Sequence, residues 1–191
     1  VVDEVLYQQE VNPEGHTWYT ENISDTMDVL SVMFPDLAKT GVPRDFMSLA
    51  LAIFSHNSSV EENTGNAITA KEMLDEGGLE SFDEKTLWRG GERDAFNEQF
   101  EKIRMLRSMF ESDAAMFDWL NKKQPVSEIN EFLGVTVDRL VSEEAYGSII
   151  FGPKIGVFYQ NLRGQLDEVT MDRWFSRSMH RLLGTIAQQP T

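Results

Sequence analysis

Cysteine is absent from this 191-residue chain, and that one absence removes disulfides, thiolate-bound zinc and iron–sulfur clusters together. A fold built this way rests on a hydrophobic core and is compatible with a reducing cytoplasm. Histidine is almost as scarce. His16, His56 and His180 are scattered without H-x-x-x-H spacing, so no metal site is expected. No run approaches the ~20 apolar residues that span a bilayer, so no membrane partner is expected, and no signal-peptide pattern opens the chain. There is no G-x-x-x-x-G-K-[ST] phosphate loop and no G-x-S-x-G nucleophile elbow, and no cofactor is expected. Repeats and low-complexity tracts are also missing. Basic charge is the last scarcity: 17 Lys and Arg stand against 32 Asp and Glu, a net charge of −15.

Hydrophobic residues make up 41% of the chain, enough for one compact core or two small lobes with a cleft between them. Apolar spacing speaks for helix nearly throughout, and an all-α domain over 23–191 is expected, preceded by an arm at 1–22. Met27, Leu30 and Phe34 recur at helical spacing before Pro35. After Pro43 the run Phe46, Leu49, Leu51, Ile53 and Phe54 suits the centre of a bundle. Ser58 and Glu61 form a capping-box pattern that starts the next helix and leaves Ser55, His56 and Asn57 in an inter-helix loop. The glycine pairs at 77–78 and 90–91 mark residues 75–91 as a surface connection. A long amphipathic helix is expected over 92–110, with Phe96, Phe100, Ile103, Leu106, Met109 and Phe110 on one side. Shorter helices are expected at 113–122, 126–133 and 136–143. No alternating pattern long enough for a sheet is present.

The stretch 145–184 reads as hairpin, helix, short acidic turn, helix. Gly152-Pro153 favours a tight turn and a helix start, which puts Lys154 in a first turn, where the positive end of the helix dipole disfavours an ammonium. Asp172 precedes the next apolar-periodic run, a capping position where backbone N–H groups hold a carboxylate ionised. Taken singly, each residue suits a structural role. Brought to one cleft, an amine and a carboxylate can perform nucleophilic chemistry on a sugar carbon. Charge supports the same region: residues 1–144 carry 12 basic against 29 acidic side chains, whereas 145–191 carry 5 against 3. Arg163, Arg173, Arg177, His180 and Arg181 are available there for a phosphate-facing edge, or for the solvated face of an ordinary amphipathic helix.

Phe151-Gly152-Pro153-Lys154 and Val169-Thr170-Met171-Asp172-Arg173-Trp174 together resemble the helix-hairpin-helix (HhH-GPD) DNA glycosylase superfamily, including its 8-oxoguanine glycosylase-like and phage members. The resemblance covers 145–184 well. A weaker likeness over 45–75 matches the family's early helix pair. The hairpin is shorter than the family's L-P-G-V-G-x-K phrase, and Trp174 stands where histidine is common.

The resemblance implies a helical bundle of the glycosylase type that excises a damaged or modified base flipped out of DNA, with Lys154 and Asp172 catalytic. It implies that Asp172 stabilises the charge developing on the sugar, that Lys154 attacks C1′ and permits lyase cleavage, and that hairpin amides around Gly147, Gly152 and Pro153 grip phosphate. Ser55, His56 and Asn57 would approach the opposite strand, or would only satisfy backbone groups at a helix end. Arg173 and Arg177 would face phosphate. Tyr159 is the foremost candidate to pack on the extruded base, with Trp174 and Phe158 as alternatives that suit the core equally. A DNA partner and a bacterial or phage-infected cytoplasm follow from the same likeness. The shortened hairpin also fits phage enzymes that hypermodify thymine on this scaffold, with Lys154 holding a leaving pyrophosphate. The strong acidity fits a third kind of protein, a non-enzymatic DNA mimic or nuclease inhibitor.

Overall fold

The computed structural model describes residues 27–56, 58–82, 88–89, 92–137, 139–165 and 167–168. These form a helical domain around one buried helix. A first helix, α1 (27–33), leads through a 3-10 turn at Pro35–Ala38 to α2 (Val42–Phe54). Proline in the first turn of α2 is pre-set for helix and needs no N–H partner there. Every residue from Phe46 to Phe54 is buried, so α2 is enclosed on all sides. It packs against α3 (Val60–Gly77), α4 (Arg93–Ser108), α5 (Asp113–Leu120) and α7 (Pro153–Leu162). An all-around apolar helix belongs at a bundle centre, as its composition predicts.

Helix α4 buries Phe96, Phe100, Ile103 and Leu106, the face read from its spacing. Met109 lies beyond the helix end and is exposed, while Phe110 turns aside to meet Trp119 and Phe132. The capping box before α3 is one residue later than expected: Ser59 accepts the Glu62 N–H and the Glu62 carboxylate accepts the Ser59 N–H. Ser58 instead donates its hydroxyl hydrogen to the His56 carbonyl. The expected surface connection at 75–91 is also corrected. Helix α3 runs on to Gly77, a 3-10 turn follows at Gly78–Ser81, and Phe82 and Trp88 are buried, Phe82 against Phe46 and Phe100 and Trp88 against Phe54 and Phe100.

Two three-residue strands break the all-helical reading. β1 (Lys123–Pro125) pairs antiparallel with β2 (Glu144–Tyr146), with Gln124 opposite Ala145. Between them α6 (Val126–Leu133) ends at Gly134, whose φ of 67° is left-handed. No helix forms in the described residues of 136–143. The Val137 N–H is taken by the Asn130 side chain, and turns carry the chain back to β2. Val126, Ile129, Val137, Ala145 and Ile149 close a small second core beneath this hairpin. A 3-10 turn at Gly147–Phe151 then delivers the chain to α7.

Among the described residues no helix is long and apolar enough to cross a membrane.

Candidate functional site

Lys154 sits where its sequence context predicts. Gly152 caps α7 with φ 91°, a conformation suited to glycine, Pro153 follows, and Lys154 occupies the first turn. Its side chain is half-buried and reaches across to the C-terminal end of α2, where Nζ donates to the Ser55 carbonyl at 3.5 Å. Two segments 99 residues apart thus converge on one place. Ser55 is the C-cap of α2, and its hydroxyl donates back to the Ala52 carbonyl at 2.7 Å, leaving the Ser55 carbonyl to face the ammonium. A cation at a helix C-terminus is favourably placed against the negative end of the dipole. His56 is half-buried in the same turn.

Asn57, Asp172, Arg173, Trp174 and Arg177 lie outside the described residues, as do His180 and Arg181. The approach to Asp172 is described as far as Glu168, and it is firmly tethered. Asp167 pairs with Lys123 and accepts a long bond from the Tyr146 hydroxyl, while Glu168 pairs with Arg139. The Lys123 hydrogen bond holds the Asp167 carboxyl below its usual range despite some desolvation. The Asn161 amide adds bonds to the Gln165 and Glu168 carbonyls at 2.8 and 2.9 Å. The short acidic turn read from the sequence is therefore pinned to the β1–β2 pair and to Arg139 in the connection between the strands.

The expected hairpin at 147–154 is instead a 3-10 turn running into α7, and its glycines do structural work. Gly147 is buried and its N–H donates to the Lys122 carbonyl at 3.2 Å, so this amide is not available to a phosphate. A Cβ on Gly147 would lie 2.6 Å from the Trp119 carbonyl oxygen, so the position requires the smallest residue for packing. The Gly152 N–H donates to the Ile149 carbonyl at 2.8 Å, and Pro153 has no N–H to offer. The amides of Lys154 and Ile155 lie in the first turn of α7, where a helix offers no intrahelical acceptor.

Tyr159 is corrected more sharply. It is completely buried, its hydroxyl donates to the Asn121 side-chain oxygen at 2.8 Å, and the Arg163 guanidinium lies 5.7 Å from its ring centre. Burial, then the nearby Asp45 charge, pushes its phenol well above the ordinary tyrosine value. Its face of α7 looks inward at α2 and α5, so it is an internal post rather than a surface on which a base can stack.

That post belongs to a polar network which the sequence reading missed. Arg163 Nε donates to Asp45 Oδ1 at 2.6 Å, and the Asn121 amide donates to Asp45 Oδ2 at 3.1 Å. A cavity of about 350 Å³ opens beside it, lined by Thr40, Gly41, Arg44, Asp45, Asp118, Asn121 and Arg163. It lies at the far end of α7 from Lys154, roughly 13 Å of helical rise away. No local pattern marks such a network, because its members come from three helices and a turn.

The chain matches no known family model, no curated protein and no solved structure. Among the described residues no three His, Cys, Asp or Glu side chains converge as a metal-holding group.

Proposed function

We propose that this chain acts on a nucleotide turned out of DNA, on a scaffold of the helix-hairpin-helix glycosylase kind, with Lys154 and Asp172 as its catalytic pair. One observation carries the reading: Lys154 Nζ lies 3.5 Å from the Ser55 carbonyl, at the loop between α2 and α3. The resemblance assigns these two segments to one DNA-facing surface, and their convergence supports it. The pinned turn at 167–168 adds support, since it fixes the chain four residues before Asp172.

In excision, the bond from C1′ to the base breaks and the base departs with the electron pair. Asp172 stabilises the cationic sugar left behind. The unprotonated Lys154 amine donates its lone pair to C1′ and loses a proton; the nitrogen lone pair then forms C1′=N as the ring C1′–O4′ bond breaks, its electrons going to O4′, which takes up a proton, giving a protonated Schiff base open to β-elimination. Extruding the nucleotide costs a few kcal/mol, least at a damaged or modified base.

A second reading is favoured by the same contact. A lysine held by a carbonyl at the end of α2 is positioned there to contact an anion. Lys154 would then retain a leaving pyrophosphate while a group on the base is replaced, as in thymine hypermodification.

The test is incubation with DNAs carrying natural, damaged and hypermodified bases, with borohydride present in one arm and mass analysis of released bases and nucleosides in the other. Excision by a lyase gives free base and a covalent adduct lost in Lys154→Gln. Base modification gives an altered nucleoside and no adduct. No chemical change in any DNA, together with tight binding to a nuclease, would overturn both readings in favour of a DNA mimic.

A further inference from the structure

Among the described residues most Lys and Arg side chains are tied down, Arg44, Arg93 and Lys154 by backbone carbonyls. Lys71, Lys102, Arg104, Arg107, Lys123, Arg139 and Arg163 all have carboxylate partners. Arg89 is a contrast. It is exposed, and its guanidinium makes no hydrogen bond or ion pair with any described residue, although acids outnumber bases nearly two to one.

An exposed arginine is ordinarily no more than a hydrated surface charge, borne on backbone that is free to vary. The backbone at Arg89 is held instead by three hydrogen bonds and by the buried Trp88 side chain beside it. The buried Asn66 side chain clamps it from both sides, accepting the Arg89 N–H at 2.8 Å and donating to the Arg89 carbonyl at 3.0 Å. The preceding Trp88 is buried, its ring 5.0 Å from Phe100 and its indole N–H bonded to Asn97 at 2.8 Å. Arg93 Nε donates to the Trp88 carbonyl at 3.1 Å. Even the room for the side chain depends on its neighbour: a Cβ on Gly65 would stand 2.8 Å from Arg89 Nη1. Glycine inside a helix costs roughly 1 kcal/mol relative to alanine, and here the tip of the Arg89 side chain lies over the glycine.

We propose that Arg89 is a phosphate-contacting residue of the nucleic-acid site, presented beside α3. This rests on the proposed action on DNA for its setting, but its chemistry is that of the guanidinium fork, which matches phosphate oxygens two at a time. Lys154 lies at the turn that opens into α3, and Gly65 is five residues along that helix, roughly 7.5 Å of rise from Val60. The phosphate belongs either to the duplex backbone or to a pyrophosphate group released in base modification, and two probes separate these sources.

The first is binding of labelled duplex DNA to the full chain over a salt series, comparing wild type with Arg89→Gln and Gly65→Ala. Arg89→Gln alters only an exposed side chain. Gly65→Ala keeps the arginine, crowds Nη1 and improves helix propensity, so a loss in both is not a folding defect. A backbone contact gives roughly 3- to 10-fold weaker binding in Arg89→Gln. The slope of log K against log salt also falls by about 0.9, one phosphate's worth. The second probe is titration with inorganic pyrophosphate, read on the arginine Nε–H resonances, with Arg93 as the internal comparison. A pyrophosphate contact moves the Arg89 signal, and the signal is missing from Arg89→Gln.

If wild type fails to bind duplex yet pyrophosphate moves Arg89, the phosphate role stands and the duplex reading falls. If wild type binds duplex, Arg89→Gln matches it in affinity and salt slope, and pyrophosphate leaves Arg89 unmoved, the proposal for Arg89 is overturned while the DNA reading survives. Silence in both probes removes both.

Discussion

Asp45 and Arg163 close the ends of α2 and α7 onto each other, with Arg163 Nε donating to Asp45 Oδ1 at 2.6 Å across 118 positions of sequence. The two side chains are only 15% and 23% exposed, so water screens the pair weakly. The second carboxylate oxygen takes the Asn121 amide, so Asp45 serves two donors. Asp45→Ala removes the acceptor of the Asn121 amide and of Arg163 Nε, leaving the guanidinium only its bond to Gln160, and should cost about 2 kcal/mol, between the values for surface and fully buried pairs. Removing Arg163 as well should recover part of that loss. Urea midpoints of the two single variants and the double variant measure the coupling, and simple additivity would show that the pair contributes nothing of its own.

Tyr159 makes stability sensitive to alkali. Its phenol is held well above the ordinary value by burial and by Asp45, so the folded state keeps a proton that the unfolded chain releases at about pH 10. Stability is therefore complete below that pH and falls as pH rises beyond it toward the folded-state value. Lys71 acts in the same direction. Burial lowers its pKa, but hydrogen bonds and charge from Asp75 and Asp36 outweigh this and leave it raised. Urea titrations at neutral pH and above pH 10 should show a shallower alkaline loss in Tyr159→Phe than in wild type, after a cost of about 1 kcal/mol at neutral pH for the Asn121 bond. An unchanged alkaline slope would place the sensitivity elsewhere.

The joint between the 3-10 turn at 147–151 and α7 tolerates no added methyl. A Cβ on Gly156 would lie 2.3 Å from the Ser148 carbonyl oxygen, a backbone atom with nowhere to retreat. Ser148 also donates its hydroxyl to the Gly156 carbonyl and accepts from the buried Gln160 amide, so any shift disturbs those bonds. Gly156→Ala should cost about 3 kcal/mol, at the upper end for overpacking, despite its better helix propensity. Gly147→Ala meets Trp119 instead and should cost about 2 kcal/mol. Thermal melts of the pair rank the two contacts, and a stabilised Gly156→Ala would refute the close approach.

Spacing within one helix was enough to read the buried face of α4 and the enclosed helix α2, since a period of 3.6 residues is a local property. The cap before α3 was misread by one residue because Ser-Ser-Val-Glu-Glu contains two overlapping boxes, Ser58 with Glu61 and Ser59 with Glu62. β1 and β2 are three residues each, too short for alternation to register, and their pairing depends on chain 21 positions away. Trp88 looked like loop because glycines surround it, yet aromatic rings from two helices receive it. Tyr159 shows the general limit: which side of α7 faces inward is decided by α2 and α5, and its partner Asn121 lies 38 residues away. The meeting of Lys154 with Ser55 was not legible in the sequence, since no spacing rule joins residues 99 apart.

Lys71 offers a test of what an enclosed charge contributes. Its side chain is wholly buried, with Nζ bonded to Asp75 at 2.6 and 2.5 Å and 2.9 Å from Asp36, above the Phe34 ring at 5.2 Å. The two carboxylates are 43% and 48% exposed, so they return to water at little cost when the ammonium is removed. Lys71→Met keeps most of the volume in an apolar setting and should fall within about 1 kcal/mol of wild type. Lys71→Ala opens a gap among α3, Phe34 and the 35–38 turn and should cost about 2–3 kcal/mol. Replacing Asp36 and Asp75 together by alanine strands an ammonium with no countercharge and should cost at least about 3 kcal/mol. Urea midpoints in that order, with methionine mildest and the double aspartate variant worst, would show that Lys71 serves mainly to fill space and that the acids are present to make its charge tolerable. Methionine as damaging as the double aspartate variant would mean that the ion pairs themselves hold the 35–38 turn to α3.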